Sequence, residues 1–265
     1  VTGTLTENFH WALLPFIFAS GLCIGSFLNV VIHRLPLEES VVKPRSRCPS
    51  CKKLIPWYYN IPVLSFLFLR ARCANCKAPV SWRYPLVELV TAFLFTAAAW
   101  NNPVWYEWPW HFYFLGALIA CTFIDLDHWI LPDKITLPGI VIGLAGAAVL
   151  PSVSFQNAVL GFLFGGGLLY LVAWGYHFAT KKDGLGGGDI KFLAMVGSFL
   201  GLQGALMTIV LASMVGSVIG IFLILVKGRK GSSAIPFGPF LSAGAAVAFF
   251  FGQALWEWYF HLRSL

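Results

Sequence analysis

Five aspartates lie in two short clusters of a chain that is otherwise poor in charge. Asp125, Asp127 and Asp133 sit in Phe-Ile-Asp-Leu-Asp-His-Trp-Ile-Leu-Pro-Asp, and Asp183 and Asp189 sit in Lys-Lys-Asp-Gly-Leu-Gly-Gly-Gly-Asp-Ile-Lys. Asp125 ends the apolar run Gly116–Ile124, and Asp189 opens the run that begins at Ile190. A carboxylate at the end of a membrane span is costly unless it is paired or does chemistry. Two facing carboxylates can share one proton, so that one takes a proton from water while the other polarises a peptide carbonyl. Gly186, Gly187 and Gly188 clear side chains from beside Asp189 and let another backbone approach closely. Spacing alone does not prefer Asp125 to Asp127. A lone aspartate at a span end is commonly a solvated cap, the reading taken for Asp127, Asp133 and Asp183. A proton relay in a carrier would use the same carboxylates. The chain has no Gly-x-Ser-x-Gly elbow and no His-Glu-x-x-His motif.

A second constellation is Cys48-Pro-Ser-Cys51 with Cys73-Ala-Asn-Cys76. Each pair can form a knuckle that offers two thiolates to one tetrahedral ion, and an all-sulfur set favours zinc. The alternative is two disulfides, which are rare in a reducing compartment. Cys23 and Cys121 fall inside apolar runs and are expected to be packing residues.

The elements that must position these groups are membrane spans. The chain has 265 residues, 58% hydrophobic and 11% charged, and segments 135–180 and 192–226 hold no Asp, Glu, Lys or Arg. A span needs about 20 apolar residues. The expected fold is all-α, with about eight transmembrane helices near 9–32, 85–101, 110–125, 135–151, 157–179, 189–201, 204–226 and 236–260. The short, glycine-rich sixth is the weakest. The first run is as long as a full span and has no basic segment before it, unlike a signal peptide. An N-terminus outside places loops 33–84, 126–134, 180–191 and 227–235 in the cytoplasm. These loops hold 17 of the 18 Lys and Arg residues, as the positive-inside rule requires. The net charge of +7 is thus segregated by topology, and a nucleic-acid partner is not expected. Trp105–Trp110 and Trp256–Tyr259 suit an outer aromatic belt. The domain organisation expected is a first span (1–32), a cytoplasmic zinc-ribbon-like loop (33–84) and a seven-span catalytic domain (85–265). The apolar piece Leu54–Leu69, interrupted by Pro56 and Pro62, is read as lying against the membrane.

Several motifs occur in order along the chain: Gly25-Ser-Phe-Leu-Asn-Val30 with Arg34-Leu-Pro36, Pro44-Arg-Ser-Arg-Cys48, Asn60-Ile-Pro62, Tyr84-Pro-Leu-Val-Glu88, Asp125-x-Asp127-x5-Asp133 with Leu131-Pro132, Gly186-Gly-Gly-Asp-x-Lys191, and Pro236-Phe-Gly-Pro-Phe240. Together they resemble the bacterial type IV prepilin peptidases, of the Gly-x-Gly-Asp intramembrane aspartyl protease group. The resemblance covers nearly the whole chain, including the cysteine tetrad of one subgroup. It implies Asp125 and Asp189 as the catalytic pair, with Gly186, Gly188 and Lys191 supporting substrate or backbone. It implies an inner-membrane enzyme with a periplasmic N-terminus that cuts the basic leader from type IV prepilins or type II secretion pseudopilins after a glycine. It also implies methylation of the new N-terminus with S-adenosylmethionine. No Gly-x-Gly-x-x-Gly fingerprint marks a site for that donor. Asn29, Arg34 and Glu88 are candidates, against the plainer reading that they anchor loops and bond between helices. A proton-coupled carrier and a zinc-ribbon scaffold for a secretion apparatus stand as the competing classes. A carrier usually shows repeated halves and broken helices near mid-membrane, and neither is legible here.

Overall fold

The structure, a computed structural model, describes residues 2–181, 186–227 and 235–263. Asp183 and parts of two basic loops lie outside the described residues. The chain is all-helical: α1 (Thr2–Arg34), α2 (Leu64–Phe68), α3 (Arg83–Asn101), α4 (Trp108–His128), α5 (Asp133–Val149), α6 (Phe155–Thr180), α7 (Gly187–Lys227) and α8 (Gly238–Arg263). Among the described residues, five segments are long and apolar enough to cross a membrane: Trp11–Leu37, Trp105–His128, Phe155–Thr180, Gly187–Val226 and Gly238–Tyr259. The chain is a multi-pass membrane protein. It divides into two compact units, residues 1–120 and 121–265.

In the first unit α1 packs along α3. Small residues allow the approach: a Cβ on Gly21 would lie 2.6 Å from the Ala92 Cα, and one on Gly25 2.6 Å from the Glu88 Cα. Glycines four apart on one helix face let two backbones meet without intervening side chains. α1 gives way to a single 3-10 turn, Leu35–Leu37, in which Pro36 has no amide to continue the α-helical ladder. Between α1 and α3 the chain forms two knuckles and the short α2. Trp57, Leu64, Leu67 and Phe68 are all exposed there, Phe68 to 84%.

In the second unit α7 is central and packs on α5, α6 and α8. Its backbone leaves the helical region once, at Gly201 (φ 70°, ψ −173°). Only glycine adopts that region readily. The break exposes the Leu202 amide, and the Asn157 side chain from α6 accepts it through Oδ1 at 3.0 Å. The chain reverses at this break. Gly188, at the start of α7, lies against Leu131, which also lies against Gly238 at the start of α8. Gly216 on the far arm is again beside Phe240 and Phe237, whereas Met207, just after the break, is beside Gly252 deep in α8. Both ends of α7 therefore lie at the Gly238 end of α8. The sixth and seventh expected spans are the two arms of one helix folded at a single residue, with no loop between them.

Candidate active site

Asp125 lies in the last turn of α4 and is buried, 6% exposed, whereas Asp127 two residues on is exposed. An offset of two places residues on different sides of a helix, so burial separates two aspartates that spacing could not. The Gly238 amide donates to Asp125 Oδ2 at 2.9 Å. That amide is one of the unpaired donors at the start of α8, where the helix dipole also favours a negative charge. Glycine is required at this point: a Cβ on Gly238 would sit 2.7 Å from Asp125 Oδ2 and 3.0 Å from Leu131 Cδ2.

Asp189 enters from the first turn of α7. Its amide donates to the Gly186 carbonyl at 3.1 Å, and a Cβ on Gly186 would sit 3.3 Å from its Oδ2. The carboxylate is half-buried and feels the Asp125 charge. The two expected carboxylates are thus brought together from helices 64 positions apart in sequence.

What holds α4 and α7 together here is the turn after α4. Trp129 takes a positive φ of 60° and donates its amide to the Asp125 carbonyl at 3.0 Å. The chain then dips so that Leu131 is buried, and Pro132 caps α5. Leu131 wedges between two glycines: a Cβ on Gly188 would lie 3.0 Å from the Leu131 Cβ. Lys191 does not face the carboxylate pair. Its Nζ reaches both oxygens of Asp133 at 2.7 Å, tying the first turn of α7 to the first turn of α5. Both groups are about half exposed, so the pair contributes little stability, about 0–1 kcal/mol. Its effect is to fix the position of the turn.

The four cysteines of the 33–84 loop also converge, with all sulfurs within 4.8 Å of one another and Cys48 Sγ 3.8 Å from Cys76 Sγ. Four sulfurs at about 2.3 Å from one tetrahedral zinc stand about 3.8 Å apart, whereas a disulfide bond measures about 2.05 Å. The donor set and spacing fit zinc. The knuckles repeat one backbone scheme. Cys48 and Cys73 donate their amides to Lys53 and Ala78, and accept from Lys52 and Lys77, whose φ angles are 58° and 59°. The amide of Cys51 pulls the Cys48 thiol down to about 6, and the amide of Cys76 lowers Cys73. Cys76 feels a lowering donor from Ala78, yet burial and the neighbouring sulfurs push it up to about 11. Amides aimed at sulfur favour the thiolate that binds metal.

Residues 19–102 match the bacterial peptidase A24 N-terminal domain, and residues 112–221 match the type IV leader peptidase family. The chain is 39% identical to a prepilin leader peptidase/N-methyltransferase of Aeromonas hydrophila, over 96% of each chain. The chain belongs to the type IV leader peptidase family. A protein of the same name from Pseudomonas aeruginosa is 36% identical over 90% of each. One from Myxococcus xanthus is 45% identical over 82% of this chain and 64% of its own length. No solved structure matches the chain.

For this leader-peptidase chain the remaining candidates sit in the first unit. Asn29 Nδ2 donates to the Gly25 and Tyr84 carbonyls at 3.3 and 3.1 Å. Glu88 Oε2 accepts from the Val63 amide at 2.8 Å. Asn29 thus ties α1 to the start of α3, and Glu88 anchors the intervening loop to α3. Arg34 donates to the Ser40 carbonyl at 3.0 Å. Cys121 is buried as expected, but Cys23 is exposed and does not pack in a core. The Gly238 amide, the Leu131 wedge and the Lys191–Asp133 tie went unread in the sequence. Their signals were present in Pro-Phe-Gly-Pro-Phe, Leu-Pro-Asp and Gly-Asp-Ile-Lys.

Proposed function

We propose that the chain cleaves prepilin or pseudopilin leaders at the cytoplasmic face of the bacterial inner membrane, using Asp125 and Asp189, and then methylates the new N-terminus. The observation that carries this is the meeting of a buried Asp125, held by the Gly238 amide, with Asp189 on the glycine-lined start of α7. Repulsion between two carboxylates in one site favours a pair that carries one proton. The charged member takes a proton from water as the water oxygen attacks the scissile carbonyl carbon. The protonated member hydrogen-bonds the carbonyl oxygen. When the tetrahedral centre collapses, the carbon–nitrogen bond breaks and the leaving amine takes up a proton from the pair. The Gly238 donor fixes one Asp125 oxygen and leaves the other for water or substrate. Gly186 and Gly187 leave open space beside Asp189 in which an extended peptide can lie.

The topology suits the substrate. A leader is basic and cytoplasmic, and its scissile bond precedes an apolar membrane helix. With the N-terminus periplasmic, both carboxylates face the cytoplasmic end, where that bond stands. Partners are therefore the prepilin or pseudopilin of a type IV pilus or type II secretion system, and membrane lipid. Cys48, Cys51, Cys73 and Cys76 hold one structural zinc that organises the 33–84 loop. S-adenosylmethionine supplies the methyl group, which passes from its sulfonium to the free amine made by cleavage.

Purified protein incubated with a small panel of prepilins tests this reading. Mass spectrometry should show loss of the leader after a glycine, and a gain of one methyl when S-adenosylmethionine is added. Intact precursors throughout the panel would overturn it.

A further inference from the structure

The first unit contains a cavity of about 400 Å³ that none of the hydrolytic residues touches. Its floor is the cytoplasmic end of α1 and the start of α3, and its roof is the pair of cysteine knuckles. We propose that this cavity is the S-adenosylmethionine site, with Glu88 facing the cationic groups of the donor and Arg34 its carboxylate. This assignment rests on the methyl-transfer half of the proposed function.

The lining argues for a small zwitterion. Glu88 is the one acidic side chain on the described wall, and it is buried with only 7% exposed. Its carboxylate takes the Val63 amide and the Ser26 hydroxyl, and four lone-pair sites leave it room for another donor. Asn29 is 8% exposed and commits only its nitrogen, so Oδ1 remains an acceptor on the same wall. Arg34 spends one donor on Ser40 and has four left. Arg47, Lys53 and Arg72 line the cavity as well. One buried carboxylate among four cations repels a basic leader peptide. It suits a ligand that carries an ammonium, a sulfonium and a carboxylate together. Tyr59 and Tyr84 supply aromatic faces for a flat base. Small-molecule sites range over about 300–1,000 Å³, so the volume is adequate for a nucleoside joined to an amino acid.

The arrangement also explains why the knuckles are built here. They roof the cavity through Cys48 and Cys73 and their neighbours, so an ion that orders the knuckles would order the cavity.

The test is direct binding of S-adenosylhomocysteine to purified, zinc-loaded protein by calorimetry, together with photo-crosslinking of labelled S-adenosylmethionine and peptide mapping. Glu88→Gln keeps an acceptor for the Val63 amide while removing the charge, and Arg34→Gln removes the guanidinium. Each should weaken binding about tenfold or more, as loss of a charge-assisted bond does, at unchanged zinc content. The label should map within residues 26–88. A label within 121–265, or undiminished binding by both variants, overturns the cavity assignment alone. If either variant loses zinc, the crosslink on the unaltered protein decides. No binding by that protein would overturn the methyl-transfer reading as well. Binding of phosphatidylglycerol with none of the nucleoside would make the cavity a lipid-headgroup site and also overturn the proposal.

Discussion

Gly238→Ala adds one methyl group at the point where α8 meets Asp125. The new Cβ would lie 2.7 Å from Asp125 Oδ2, and an unstrained carbon–oxygen contact is about 3.3 Å. About 0.6 Å must be found. Leu131 Cδ2, at 3.0 Å from the same Cβ, adds a second close contact that must also be relieved. Either α8 backs away or the carboxylate rotates, and both break the 2.9 Å bond from the Gly238 amide. A hydrogen bond to a charged group contributes about 1.5–3 kcal/mol, so kcat should fall about 10- to 100-fold. KM should change less, because the glycines before Asp189, proposed to receive the peptide, are untouched. The assay is a quenched time course on a purified prepilin, with leader loss read by mass and thermal stability measured alongside. A kcat within twofold of the original, in a protein of unchanged stability, would refute the claim that this amide holds the reactive carboxylate.

Purified protein should carry one zinc per chain, and replacing Cys48 and Cys51 together with serine should remove it. Elemental analysis checks the count, and proteolysis should then cut within 33–84 before the helices, because the ligands hold that loop together. Gly201→Ala should destabilise the second unit by about 1–3 kcal/mol, the usual cost of forcing a side chain into such a backbone conformation, measured as a fall in thermal midpoint in detergent. Asp125→Asn should fail to cut prepilin yet still methylate a pre-cut pilin, scored as methyl groups per mature chain. Failure to methylate would indicate one shared centre for both steps.

The multi-pass helical character was legible because long apolar runs are a one-dimensional signal. The cysteine site was legible for the same reason, since two Cys-x-x-Cys pairs specify their own knuckles. The fold-back of α7 was not, because one glycine does the work of a loop and its supporting Asn157 sits on another helix. Nor was the partner of Asp125. Gly238 lies 113 residues away, and a backbone amide has no letter in a sequence. The motif Pro-Phe-Gly-Pro-Phe was visible as a pattern, but its reason is a contact between the ends of two helices. Burial, and not spacing, separates Asp125 from Asp127. Lys191, expected to support substrate or backbone, pairs with Asp133 and so fixes the turn before α5, a partner that the sequence pattern did not name.

The central claim is that Asp125 and Asp189 together hydrolyse the leader bond, and one comparison tests it most directly. Asp125→Asn, Asp189→Asn and Asp127→Asn proteins, purified to equal stability and zinc content, are incubated with the same prepilin and the products weighed. An amide can neither hold nor pass the shared proton, so the first two should leave the precursor intact while the third removes the leader at a substantial fraction of the original rate. Leader loss by Asp125→Asn or Asp189→Asn at a comparable rate, or an inactive Asp127→Asn beside an active Asp125→Asn, would contradict the account.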